Sequence, residues 1–414
     1  MDRSFASKYF EELLNVGIAL SSIHELEKLL NLILLEARRL TQADGGTLYL
    51  VKADRLIFKV SQCQSLSERL GDATVRQMYE SFEIPISQKS IAGYAALKKK
   101  VLNLPDVRAI SAEDPYRYDP SWDARTGYRT RSIMAVPMLN REDQVIGVFQ
   151  LINAMEKGRA IPFRIEYEKL ASSLASQAAV AIENAQLTDL LKQAHLDTIF
   201  RLGVAAEYRD KETANHLKRM SHFCALIAKG VGWSEERVDR ILWGSLMHDV
   251  GKLGIPDAIL QKPGRLTAEE RRIMELHPTI GGEILKGSEA PVLKESCIIA
   301  LTHHEKFDGT GYPRGLKGDD IPMEGRITIL ADVFDALSSK RVYKEAMAEK
   351  EVLRILEEGR GTFFDPDVLT LFLCRLEEAR DIQNRFADRE MDLEAFQMEE
   401  PMKRREEATG RSPS

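Results

Sequence analysis

The stretch Ile241-Leu-Trp-Gly-Ser-Leu-Met-His248-Asp249-Val-Gly-Lys252 sets a histidine and an aspartate side by side at the end of a strongly apolar run. An adjacent pair of this kind on a buried helix is a costly defect unless something compensates it, and metal binding is the natural compensation. The arrangement recurs along the chain. His303 and His304 follow the apolar run Ile298-Ile-Ala-Leu-Thr302, Asp332 interrupts the mostly apolar residues 327–337, and His277 stands between Asp249 and His303. Upstream, Glu212 and His216 are four apart and share one face of a predicted helix. Each of these residues alone reads as a surface group or a satisfied core group. Buried helices that repeatedly end in imidazole or carboxylate read as a metal centre.

Imidazole and carboxylate without thiolate suit iron, manganese, nickel or zinc better than a structural cysteine site. The eight donors Glu212, His216, His248, Asp249, His277, His303, His304 and Asp332 are too many for one ion, so two or three are implied. Paired ions are the usual apparatus for attacking phosphate esters.

Around these residues the pattern is helical. Ser234 precedes Glu235 and Glu236, and Thr267-Ala-Glu-Glu270 carries a capping signature, so the region from Leu202 to about Arg385 reads as all-α. Residues 166–202 contain no proline or glycine and predict a connecting helix of about 50 Å, with a three-and-four spacing suited to a two-stranded coil. Ahead of it, helical periodicity over residues 10–40 gives way to short β-branched runs at 47–51, 56–60, 132–137 and 145–153, so the first part reads as α+β. The expected organisation is an N-terminal helix at 1–25, a sensor domain at 26–187, the connecting helix at 166–202, a helical domain at 191–388 and a loose, charged tail at 389–414.

The composition narrows the partners. Among 414 residues, 58 Lys and Arg against 64 Asp and Glu give a net charge of -6, which argues against duplex nucleic acid. The four cysteines show no CxxC spacing and read as reduced packing residues. No apolar run reaches the roughly 20 residues of a membrane span, and the expectation is a cytoplasmic protein.

The strings HDVGKLGIPDAILQKPGRLTAEE (248–270), MELHPTIGGEIL (274–285), HHEKFDGTGYPRGLKGDDIP (303–322) and ILADVFDALSSKRVYK (329–344) together resemble the HD-GYP family of metal-dependent phosphohydrolases. The resemblance implies a hydrolase of cyclic di-GMP that yields pGpG, with onward cleavage to GMP left open. His248, Asp249, His277, His303, His304 and Asp332 match the family's ligands, with Asp249 as the bridging carboxylate. His216 matches the upstream ligand. Glu212 matches the extra carboxylate of members with a third metal, and iron or manganese is the implied ion. Lys252 faces the scissile phosphate in the family, and Arg341 and Lys344 match positions that bind phosphates and guanines. Tyr312 is expected to contact substrate; the alternatives for its loop are a purely structural role or a docking surface for GGDEF cyclases. Glu305 is expected to orient His303 or His304.

Residues 26–187 resemble a GAF domain, through Gly45-Gly46-Thr-Leu-Tyr-Leu, TGYRTRSIMAVPML (126–139) and QVIGVFQLIN (144–153). This implies a six-stranded antiparallel sheet with helices and a cavity for an unidentified small-molecule ligand. Asn153, Phe163 and Glu168 match the signature of cyclic-nucleotide-binding members, while Ala154 and Tyr167 depart from it. The whole implies a parallel homodimer acting on a cyclic dinucleotide. Alternatives are the same chemistry on 3',3'-cGAMP and a silent nucleotide receptor.

Overall fold

The computed structural model describes residues 3–23, 25–71, 74–75, 82–210, 213–339 and 346–387. The expectations for Glu212, Arg341, Lys344 and the 389–414 tail fall outside them. The chain divides into two compact units, Met1–Leu191 and Lys192–Ser414.

In the first unit, helices α1 (Arg3–Ser22) and α2 (Leu26–Thr41) precede an antiparallel sheet. Its strands are β1 (Ala43–Lys52), β2 (Arg55–Cys63), β3 (Glu83–Pro85), β4 (Leu102–Leu104), β5 (Ile133–Leu139), β6 (Val145–Glu156) and β7 (Arg159–Ile161). The order is β3-β2-β1-β6-β5-β4, and β7 folds back on β6 as a seventh, three-residue strand beyond the six expected. The two-residue period of the strands sorts the side chains. Leu48, Leu50, Met134, Val136, Phe149 and Leu151 pack against α2 and the first half of the long helix α3 (Ile165–Arg209). Tyr49, Ile133, Ala135 and Val148 point to the other face, against Ile91, Ala92 and Ala95. Both faces are buried, which is why the strands read as nearly continuous apolar runs.

The signature residues of the cyclic-nucleotide-binding pattern serve the fold. Asn153, at a left-handed φ of 54°, accepts from the amides of Arg131 and Ser132 and donates to the Arg129 carbonyl and the Tyr128 hydroxyl. Phe163 is in the core, and Glu168 accepts from Asn103 at 2.9 Å. A small depression is lined by Gly45, Gly46, Gln62, Cys63, Trp122 and Tyr128.

The second unit is built of helices joined by turns and loops, with no strand among its described residues beyond an isolated Arg360–Phe364 bridge. It includes α4 (Ala214–Val231), α5 (Glu235–Gly244), α6 (His277–Leu285), α7 (Pro291–Thr302), α8 (Met323–Ser338) and α9 (Leu376–Arg385). Ser234 caps α5 by accepting from the Arg237 amide, and Thr267 and Glu270 form the expected capping box on the short helix Ala268–Met274. Phe223, Phe334 and Phe372 meet edge to face at the centre of the core.

Helix α3 continues seven residues past the expected end at Leu202. Gly203 looks like a breaker in sequence, but here it permits close packing. A Cβ at this position would stand 2.5 Å from the Leu246 carbonyl oxygen. The helix therefore carries Glu207 and Arg209 into the second unit's core region.

Candidate metal centre

The apolar helix α5 ends at Gly244, and two single 3-10 turns, Ser245–Met247 and Val250–Gly254, flank His248 and Asp249. His277 opens α6, His303 closes α7, and His216 lies in the first turn of α4, where Thr213 is the N-cap. Two compact donor groups result: Asp249, His277, His303 and His304 form one, and Glu207, His216 and His248 form the other.

In each buried imidazole the Nδ1 is held and the Nε2 is left to face the centre. His248 Nδ1 meets the Ser245 carbonyl at 3.0 Å, His277 Nδ1 the Met274 carbonyl at 2.8 Å, and His303 Nδ1 the Ala300 carbonyl at 3.0 Å. His216 is held by a side chain instead, with Nδ1 2.8 Å from Asp335 Oδ2. Such contacts fix the tautomer and aim the second nitrogen, as partners of metal-bound histidines do.

Asp249 lies between the groups. Its Oδ1 is 3.0 Å from His277 Nε2 and 3.3 Å from His303 Nε2, while Oδ2 is 3.3 Å from His248 Nε2 and 2.7 Å from Lys252 Nζ. Asp332 stands at the edge, with Oδ1 3.8 Å from His216 Nε2. His304 stacks on Tyr312, with ring centroids 4.7 Å apart and planes at 24°.

Lys252 is nearly enclosed by carboxylates, with Asp210 Oδ2 at 2.6 Å and Glu207 Oε2 at 3.6 Å in addition to Asp249. Burial alone would lower its ammonium pKa, but Asp249, Glu207 and Asp210 outweigh burial and hold it well above the usual lysine range. The converse applies to Asp249: burial works against its anion, yet Lys252 and His248 keep its carboxyl well below the ordinary value. Burial also opposes the charge on His248, but Asp249, Glu207 and Asp332 push it up to about 9. His303 and His304 go the other way, lowered first by burial, with His303 adding like charge against His304. The strongly negative half of the centre is thus the side of Glu207, Asp210 and Asp249.

The donor chemistry fits divalent ions. Both oxygens of Glu207, Nε2 of His248 and Oδ1 of Asp249 are buried without a hydrogen-bond partner. Such atoms cost free energy unless something binds them, and all four converge on the two groups. His277 Nε2 and Asp249 Oδ1 approach without hydrogen-bond geometry, as two ligands of one ion do.

Of the residues expected from sequence, His216, His248, Asp249, Lys252, His277, His303 and His304 come together, with Asp332 beside His216 and Tyr312 on His304. Three residues are not foreseen from sequence, among them Asp210, which receives Lys252 Nζ at 2.6 Å. Glu207 lies on α3, three and seven residues after the buried Val204 and Phe200, a phase that turns it inward. Asp335 lies one turn beyond Asp332. Glu305 has a role other than the expected one: its carboxylate accepts from the Arg314 and Leu316 amides at 2.8 and 2.9 Å and so closes the loop carrying Tyr312.

Comparison with known proteins agrees with this architecture. The family described as GAF domain matches residues 25–182, and the family described as HD domain matches residues 204–368. The chain is 42% identical over 218 residues to the cyclic di-GMP phosphodiesterase response regulator RpfG of Xanthomonas campestris pv. campestris, covering 52% of this chain and 58% of the relative. It is 46% identical over 187 residues to a cyclic di-GMP phosphodiesterase of Thermotoga maritima, covering 45% and 51%. A 3'3'-cGAMP-specific phosphodiesterase 2 of Vibrio cholerae is 40% identical over 210 residues, covering 51% and 40%. The chain spans about half the length of these curated relatives. The chain thus carries a GAF domain followed by an HD domain, and the relatives named here are phosphodiesterases of cyclic di-GMP or 3'3'-cGAMP.

Proposed function

We propose that the HD domain is a metal-dependent phosphodiesterase that opens cyclic di-GMP to pGpG under the control of the GAF domain. The observation that carries this reading is the pair of adjoining imidazole and carboxylate groups with Asp249 between them and four unsatisfied buried ligand atoms aimed inward. Asp249, His277, His303 and His304 would hold one ion, and Glu207, His216, His248 and Asp249 another, with Asp332 in reach of the second. Glu212 is the donor for a third ion, and iron or manganese is the metal this donor set suits. The ions supply Lewis acidity toward the phosphoryl oxygens and a nucleophile at neutral pH.

The chain's own residues do the rest. Lys252, held charged by its carboxylates, lies where it can stabilise negative charge on the scissile phosphate. Tyr312, whose ring stacks on His304, would contact the substrate, and Arg341 and Lys344 would bind its phosphates and guanine edges. The exposed leucines 187, 190 and 191 on α3 support a parallel homodimer; a monomer at micromolar concentration in crosslinking and sedimentation refutes that part. Partnership with GGDEF proteins and a small-molecule ligand for the GAF domain belong to the same reading, as does a cytoplasmic location. Among the described residues no helix is long and apolar enough to cross a membrane.

The similar identity of a 3'3'-cGAMP-specific relative, 40% against 42% and 46%, makes cGAMP the second substrate to test. The test is product analysis of both dinucleotides with protein purified anaerobically and loaded with Fe(II) or Mn(II), beside a His248→Ala, Asp249→Ala double variant. Release of linear dinucleotide by the wild type alone supports the reading. Binding without turnover under either metal replaces it with a receptor.

A further inference from the structure

The last residue of helix α3, Arg209, has a side chain that is 28% exposed, and in sequence it reads as a solvated charge at a helix end. Its guanidinium hydrogen bonds fall instead on one six-residue segment, 252–257. Nη1 donates to the carbonyls of Lys252 at 2.9 Å and Leu253 at 2.7 Å, and Nη2 donates to the Ile255 carbonyl at 3.0 Å and Asp257 Oδ1 at 2.5 Å. These carbonyls lie at the exit of the 3-10 turn Val250–Gly254, where a helical turn leaves acceptors short of internal donors; the Lys252 carbonyl is shared, since it also accepts from the Ile255 amide at 3.1 Å. The next residue, Asp210, receives Lys252 Nζ at 2.6 Å. Lys252 is therefore gripped at its backbone by Arg209 and at its ammonium by Asp210 and Asp249. None of the atoms of Arg209 reaches the donor groups themselves.

The geometry points to Arg209 as a positioning residue for the phosphodiester reaction: it acts through Lys252, by fixing the turn that presents the ammonium beside Asp249. The inference rests on the function proposed above. A planar fork suits this segment, because its two terminal nitrogens each reach two acceptors of 252–257 at once, whereas an ammonium is a single point of contact. Arg209 and Asp210, at and just past the end of α3, thus hold the lysine at both ends while Glu207, two residues before Arg209, faces the metal groups.

The test uses the full chain loaded with Mn(II), as wild type, Arg209→Ala and Arg209→Lys. A misplacement of about 1 Å at a reacting group costs on the order of 100-fold in rate. Both variants are expected to lose roughly 10- to 100-fold in kcat, with KM within about threefold of wild type and bound metal per chain unchanged. The amides of residues 253–257 should exchange with solvent at least about tenfold faster in Arg209→Ala, while those of α4 do not change. Millimolar guanidinium ion is expected to restore part of the rate to Arg209→Ala. If Arg209→Ala does not accumulate folded, Arg209→Lys carries the same test. Wild-type kcat in the variants, unchanged exchange at 253–257, or a loss of bound metal overturns the inference while wild-type turnover still stands. A wild type that cleaves no cyclic dinucleotide refutes the function reading itself, and the inference falls with it.

Discussion

Replacing Asp335 with asparagine should disable one metal group without touching a ligand. Asp335 is 1% exposed; its Oδ1 accepts from Arg219 Nε at 2.6 Å, and its Oδ2 accepts from Arg219 Nη2 at 3.1 Å and faces His216 Nδ1 at 2.8 Å. In Asp335→Asn the carbonyl oxygen is best kept toward the guanidinium, which turns the amide NH2 toward the imidazole. His216 Nδ1 must then accept, so the proton moves to Nε2, the atom aimed at Glu207 and His248. The reverse orientation sets donor against donor at Arg219. Removing the anion beside a buried guanidinium costs about 3–5 kcal/mol of stability, and loss of the tautomer lowers metal affinity roughly 10- to 100-fold, or about 1.4–2.7 kcal/mol. Urea unfolding of the metal-free chain measures the first, and competition with a chromophoric chelator the second. Bound metal should fall by one ion per chain, because the Asp249, His277, His303 and His304 group keeps all its ligands. Wild-type affinity within threefold, or loss of every ion together, would refute the tautomer argument.

Three further outcomes follow from the geometry. Glu207→Gln removes one anionic donor and should lower bound metal by about one ion per chain in elemental analysis, with a loss of turnover of two orders of magnitude or more; unchanged metal content refutes its assignment. Gly251→Ala would set a Cβ 1.8 Å from the His277 carbonyl oxygen and 2.5 Å from the Gly281 amide; the expected cost is about 3 kcal/mol or more, read as a fall in the urea midpoint, and a variant as stable as wild type contradicts the close approach. His222 lies beside Phe386, and burial pushes its imidazole pKa down to about 4, with Arg385 and Lys218 adding like charge against it. Above about pH 6.5 the ring is neutral both folded and unfolded and no penalty exists; between about 6.5 and 4 only the unfolded chain takes the proton, so stability falls with pH by at most about 3 kcal/mol. His222→Phe should flatten that slope between pH 7.5 and 5, and parallel slopes refute it.

Much of the centre is legible in sequence because its ligands sit where apolar helices stop. His248 and His303 announce themselves as polar ends of buried runs, while His277 opens a helix after an exposed one, and each imidazole stands three residues after the carbonyl that holds its Nδ1. Glu207 is harder to find. It stands in Ala-Ala-Glu-Tyr-Arg-Asp, a polar helix end that resembles any solvated terminus, and only its phase with Phe200 and Val204 marks it as inward. Gly203 concealed it further, because a glycine that allows α3 to approach the Leu246 carbonyl looks in sequence like one that ends a helix. Glu305 shows the opposite failure: adjacency to two ligands suggests a partner for them, but its carboxylate binds amides nine and eleven residues away, a loop closure that no local pattern encodes.

This division between local and distant support also ranks the ligands by vulnerability. His248, His277 and His303 are oriented by backbone carbonyls within their own helical turn, so their aim survives any substitution that leaves those turns folded. His216 is oriented by a carboxylate 119 residues away on α8, and that carboxylate is held by Arg219, whose Nη1 also donates to the Phe386 carbonyl at 2.9 Å, just past the end of α9. Correct aim at His216 therefore requires α4, α8 and the end of α9 to be docked together, while the Asp249 group needs only α6, α7 and the turns around His248. Partial unfolding that frees the C-terminal helix should release the metal held with His216 before the metal held with His277 and His303. Staged metal loss along a urea titration, ahead of the main helical transition, is the expected signature, and simultaneous release of all ions would show that the two groups stand or fall as one.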